Sequence, residues 1–117
     1  MTNLENIMNE LQNSITAYFA GAATDFQFSN MNKNPNHLYF TLEFLAFNYF
    51  WISITYDSGR LDRYITQGKH IIHLDDKRIY FDDVDFNLKK WTEELYELIK
   101  IRIPEHYLEY YNFTKKE

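Results

Sequence analysis

The chain of 117 residues contains no cysteine, only two prolines and only three glycines. Without cysteine it can form no disulfide framework and carry no thiolate chemistry. With so few glycines, neither a dinucleotide-binding G-x-G-x-x-G nor a phosphate loop occurs, and the nucleophile-elbow pattern G-x-S-x-G is missing around every serine. Cations are scarce in the first half, where residues 1–57 hold Lys33 alone against Glu5, Glu10, Asp25, Glu43 and Asp57. The net charge is −5, and nothing forms the basic stripe that phosphate contacts require, so nucleic acid is not an expected partner. The opening MTNLENIMNELQNS has neither the basic start nor the apolar run of a secretory signal, which leads to the expectation of a cytosolic protein without a membrane role.

What the chain has in excess is aromatic rings: ten Phe, ten Tyr and two Trp. They concentrate in His37–Tyr56, HLYFTLEFLAFNYFWISITY, which is long and apolar enough to raise the question of a bilayer span. Its period answers that question. Leu38, Phe40, Leu42 and Phe44 alternate with Tyr39, Thr41 and Glu43. After a break near Ala46–Asn48, Phe50, Ile52, Ile54 and Tyr56 alternate with Tyr49, Trp51, Ser53 and Thr55. A two-residue period in aromatic and β-branched residues predicts two half-buried strands, here the central hairpin of an antiparallel sheet.

Around that hairpin the rest falls into place. Leu4, Ile7, Met8, Leu11, Ile15, Tyr18 and Phe19 carry helical spacing, with Thr2 or Asn3 as cap and Gly21 as the left-handed residue after the last turn. Asp25–Asn30 predicts a first strand, and residues 31–36 a polar turn. Asp57-Ser58-Gly59-Arg60 predicts a second turn, followed by a strand in which Leu61, Arg63 and Ile65 face one way. Lys69–Leu74 and Arg78–Phe81 flank Asp75-Asp76-Lys77 as a further tight hairpin. Then the period lengthens: Leu88, Trp91, Leu95, Leu98 and Ile99 predict a helix, capped by Asp85 and ended by Pro104, which can itself open a short helix PEHYLEYY. The expected fold is a single α+β domain over residues 1–117, an antiparallel sheet of four to six strands with the N-terminal and C-terminal helices packed on one face.

Few residues invite chemistry. His70 and His73 lie three apart on a predicted strand and so point to opposite faces; no metal site is expected from them. Asp75, Asp76, Asp82, Asp83 and Asp85 place five acids in eleven residues. They suit turns and a helix start, and they lack the spacing of a calcium loop. They also suit a charged interface, with Tyr80 nearby and Tyr107 in the tyrosine-rich C-terminal stretch as aromatic anchors. The aromatic strands would suit base stacking, but the acids beside them argue against it. No catalytic residue, cofactor or metal is expected, and an exposed edge strand leaves monomer and homodimer both open.

The layout as a whole, together with the ending Trp91–Tyr111 (WTEELYELIKIRIPEHYLEYY), resembles the immunity proteins of bacterial contact-dependent growth-inhibition and related polymorphic-toxin systems. The resemblance implies a small, acidic, non-catalytic protein that binds and neutralises a toxin domain, often a basic nuclease. An inhibitor of a host enzyme from phage or another mobile element, or a small-molecule-binding or enzymatic α+β domain, remains an alternative from the residues alone.

Overall fold

The computed structural model describes residues 4–110. Helix α1 (Leu4–Phe19) leads through a 3₁₀ turn (Ala20–Ala22) into β1 (Ala23–Asn32), β2 (Tyr39–Ala46), β3 (Phe50–Asp57), β4 (Arg60–Gln67), β5 (His70–His73) and β6 (Ile79–Tyr80), and then into α2 (Leu88–Lys100) and α3 (Glu105–Tyr110). The strands form one antiparallel sheet in the order β1-β2-β3-β4-β5, with β6 also paired to β4. This is the expected α+β architecture. Among the described residues no helix is long and apolar enough to cross a membrane.

The period read in the sequence becomes the two faces of the sheet. Phe40↔Tyr56, Leu42↔Ile54 and Phe44↔Ile52 pair across β2 and β3, and Ile52↔Ile65, Ile54↔Arg63 and Tyr56↔Leu61 continue the same face into β4. All of these are buried. Both long helices cover this face. Phe19 of α1 meets Phe44 edge to face at 5.6 Å, and Tyr96 of α2 meets Phe19 at 5.1 Å. Leu4, Ile7, Met8, Leu11, Ile15 and Phe19 form the buried stripe of α1; on α2 it is Trp91, Thr92, Leu95, Tyr96 and Ile99. The α2 stripe is therefore rotated from the expected one: Thr92 and Tyr96 replace Leu88 and Leu98, which stay half-buried. Thr92 can be buried because its hydroxyl lies 2.9 Å from the Leu88 carbonyl and 2.6 Å from Ser14 Oγ.

Four local expectations are corrected. The left-handed residue after α1 is Ala20 (φ 54°), not Gly21, because the chain runs straight into the 3₁₀ turn. The first strand is longer at both ends than Asp25–Asn30. Asp25 (φ 57°) and Asn30 (φ 55°) lie inside it, at the two places where its register against β2 shifts. Asx side chains tolerate that backbone, and such bulges twist an edge strand away from further pairing. The cap of α2 is Asn87, whose side chain accepts from the Lys90 N–H at 3.0 Å, rather than Asp85. Asp85 is used one turn earlier, donating its own N–H to Asp83 Oδ1. Finally, Asp75–Lys77 does not close a hairpin. β5 pairs with the Tyr64–Gln67 end of β4 and β6 with Arg60 and Leu61, so both strands share one edge and the loop between them bulges past Arg63. The caps expected at Thr2 or Asn3 and the end of PEHYLEYY lie outside the described residues; α3 itself follows Pro104, whose carbonyl accepts from the N–H groups of Tyr107 and Leu108.

The β3–β4 turn ties the sheet to the segment leading to α2. Gly59 has φ 103°, and a Cβ there would stand 2.7 Å from Asp82 Oδ1. The Gly59 carbonyl accepts from the Phe81 N–H at 2.7 Å. The Asp82 side chain can swing aside, but the backbone angle cannot be relieved. Gly59→Ala is therefore expected to cost about 1–2 kcal/mol in urea unfolding; a neutral result would show that this turn relaxes freely.

Candidate functional site

The acidic segment singled out in the sequence does not act as one unit. Asp75 turns inward. Arg63 stands on the apolar face of β4 with its side chain 2% exposed, and its Nη2 donates to Asp75 Oδ2 at 2.7 Å and to Glu94 Oε1 at 2.5 Å. Its Nη1 donates to the Trp91 carbonyl at 3.2 Å, and the guanidinium lies 5.4 Å from the Trp91 ring centroid. Lys77 Nζ closes the group with a 2.7 Å bond to Glu94 Oε2. Two cations thus balance two carboxylates, and the loop after β5 is pinned to α2. Hydrogen bonds from Lys77 and then Arg63 hold the Glu94 carboxyl below its ordinary value.

Past this network, the chain presents the remaining acids outward. Asp76, Asp82, Asp83 and Asp85 are all exposed, and among the described residues none of them is in an ion pair. Asp82 lies against Gly59 and near Tyr56, whose phenol is pushed up first by burial and then by the Asp82 charge. The Asp83 and Phe86 backbones are held by successive turns, with Asp83 N–H on the Tyr80 carbonyl and Phe86 N–H on the Asp83 carbonyl. Val84 at their centre is 94% exposed and Tyr80 is 43% exposed. Between this corner and the first turn of α2 runs a cleft of about 290 Å³, lined by Tyr80, Asp83, Asp85, Phe86, Trp91 and Glu94 with Arg78 and Lys90 on its walls.

Tyr80, Asp83 and Asp85 are therefore brought together, with Asp82 beside them. Tyr107 is not. It belongs to α3, at the β2–β3 end of the sheet, whereas Tyr80 pairs with Arg60 at the opposite end. The eight residues of β3 separate those ends by roughly 25 Å. The Tyr107 hydroxyl lies 2.6 Å from the Asn48 carbonyl and 3.0 Å from that of Phe47, and its ring meets Tyr49 at 4.6 Å. Those contacts give it a part in holding the β2–β3 turn. His70 and His73 lie on the exposed edge strand β5, and among the described residues no group of three His, Asp or Glu side chains could hold a metal.

Arg63, Trp91 and Glu94 had no place among the expected site residues. One signal pointed to the first: in a strand of period two, Arg63 is the charge that shares a face with Leu61 and Ile65 and must be buried with them, and a buried guanidinium must find carboxylates.

No family model, curated protein or solved structure matches this chain. A functional reading therefore rests on the residues and their geometry.

Proposed function

We propose that this is a non-catalytic binding protein of the immunity type, which neutralises a basic toxin domain through the corner formed by Tyr80, Asp82, Asp83, Val84 and Asp85. The observation that carries the reading is the set of outward carboxylates without cationic partners among the described residues, placed around two exposed apolar side chains. Charge of this kind accelerates encounter with a cationic partner, and a small number of aromatic anchors then supplies most of the affinity. The neighbouring cleft, at about 290 Å³, falls at the lower limit for small-molecule pockets and suits an inserted side chain better than a whole ligand. An acidic inhibitor needs no reactive group of its own, and the network at Arg63 supplies the rigid support behind the corner.

The test is to capture the partner from the source cells with the tagged chain, identify it, and express it in a bacterial host with and without the chain. Restored growth supports the reading; a captured protein whose expression harms nothing removes it. With the partner in hand, Asp82→Asn, Asp83→Asn and Asp85→Asn combined should slow association roughly tenfold at low salt and flatten its salt dependence. Asparagine keeps the side-chain oxygen that accepts the Asp85 N–H, so the corner retains its shape. Stopped-flow rates equal to those of the parent would take these acids out of the interface.

A further inference from the structure

The helices cover one face of the sheet; the other carries a different set of side chains, arranged in rows by the register. One row runs Gln27, Glu43, Ser53, Tyr64 and His73, and the next Ser29, Thr41, Thr55 and Asp62. Large and small residues are not mixed at random here. Ser53 and Thr55, on the central strand β3, are 2% and 9% exposed. Tyr39 and Glu43 rise beside them on β2, and Tyr64 and Asp62 on β4. The result is a band along β3 in which hydroxyls lie buried beneath phenols and carboxylates. Trp51, 41% exposed, stands at one end, in register with Thr66 and Ile71.

The carboxylates of this face are unequally matched. Asp57 is 2.9 Å from the His37 ring and Asp62 is 3.1 Å from Arg60 Nε. Glu43, in the middle, is in no ion pair among the described residues. It accepts from Ser53 Oγ at 3.2 Å, and Ser53 Oγ is 2.8 Å from Thr66 Oγ1. Because Ser53 has one hydroxyl proton and gives it to Glu43, Thr66 donates to Ser53. That chain of hydrogen bonds fixes the carboxylate in place before any partner arrives. The Tyr64 phenol is pushed up by burial first, then by Tyr39, Glu43 and Asp62, so these groups sense one another across β3.

We propose that this open face is a second docking surface, and that it takes a lysine- or arginine-bearing segment of a protein partner laid along β3. A cation there meets an oriented carboxylate at Glu43, with the Tyr39 and Tyr64 rings available for its alkyl stem and for cation–π contact. Trp51 offers the apolar anchor at the end of this band. Charge decides against the other occupants. A second copy would bring Glu43, Asp57 and Asp62 against carboxylates of the same sign. Aromatic sheet faces also stack bases, but nucleic acid would bring phosphates to an acidic face.

The test uses the full chain, labelled with nitrogen-15, and a capped eight-residue peptide of alternating lysine and alanine at low salt. Saturable shifts at the Trp51 indole and at the amides of Glu43, Ser53, Thr55 and Tyr64 are expected, with affinity at least fivefold weaker in Glu43→Gln. The glutamine amide in that variant still offers an oxygen to Ser53, and the parent spectrum alone already maps the site should the variant misfold. Shifts confined to residues 80–85 would overturn the proposal while leaving the corner described above intact. No saturable shift would overturn it as well, and so would tighter binding of an eight-nucleotide oligothymidylate than of the peptide.

Discussion

Arg63→Ala is expected to cost about 3 kcal/mol in urea unfolding, towards the lower end for removing one partner of a buried ion pair. The larger penalties arise when the surviving charge is sealed from water. Here the carboxylates left behind are Asp75, 19% exposed, and Glu94, 40% exposed, and both can recover solvation. The loss comes also from the stem of Arg63, packed in the core, and from the bond to the Trp91 carbonyl. Arg63→Met should behave differently, staying within about 1 kcal/mol of the parent, because a well-packed apolar side chain often equals a buried ion pair. Arg63 Nε is itself buried without a hydrogen-bond partner among the described residues, which lowers what the native arrangement contributes. Equal losses in both variants would show that the guanidinium, rather than the filled volume, carries the stability.

The same residue sets an acid dependence. Lys77 and Arg63 lower the folded-state pKa of Glu94 below its unfolded value. The stabilisation from this group is therefore present above the unfolded carboxylate range, about pH 4–5, and is lost as pH falls through the depressed folded value. Solvent screens a carboxylate as exposed as Glu94, so the effect is modest. Arg63→Met should lose less stability than the parent between pH 7 and pH 3; a parallel pair of curves would remove Arg63 as a source of the shift.

Phe47→Ala should cost about 3–5 kcal/mol, and Phe47→Gly about 1 kcal/mol less than that. The second half inverts the usual order, in which glycine is worse than alanine. Phe47 (φ 56°) and Asn48 (φ 53°) both occupy the left-handed region in the tight β2–β3 turn, closed by Tyr49 N–H on the Ala46 carbonyl at 2.9 Å. Asparagine accepts that backbone; phenylalanine resists it. The ring is retained because it is fully buried between Phe19, at 6.1 Å, and Tyr96, at 5.3 Å. The Phe47 N–H on the Ala22 carbonyl and the Tyr107 hydroxyl hold the backbone from outside. Alanine loses the ring and keeps the strain, while glycine loses both. Chemical denaturation of the pair decides the matter, and alanine as the more stable of the two would show that the turn is not strained by its side chain.

This turn also marks where sequence reading stops. The alternation on either side of Ala46–Asn48 located both strands, since the pleat sends neighbouring side chains to opposite faces whatever lies beyond them. It could not show that a phenylalanine sits at a left-handed position, because that cost is met by Phe19, Tyr96 and Tyr107 from elsewhere in the chain. The apolar spacing of α1 was likewise sufficient for its buried stripe, but that of α2 was misread by Thr92 and Tyr96. Thr92 looks polar until Ser14 supplies its hydrogen bond, and Tyr96 finds its place only among the rings of α1 and the β2–β3 turn.

The acids tell the same story at the candidate site. From sequence, Asp75, Asp76, Asp82, Asp83 and Asp85 are equivalent members of one cluster. In the fold, Asp75 holds Arg63, Asp82 sits against Gly59, and Asp83 and Asp85 border a cleft whose far wall comes from α2. Composition and period by themselves determined the α+β class, the central hairpin, the two-faced sheet and the surplus of acid, because each follows from a count of residues or from geometry repeated over a few neighbours. Tertiary structure alone decided that β5 and β6 both pair with β4, which acid is internal, that Tyr107 is remote from Tyr80, and that Glu43, Ser53 and Tyr64 line up across β3. Those outcomes depend on which distant segments meet, and a buried charge or a left-handed phenylalanine is tolerated only where such a meeting provides its partners.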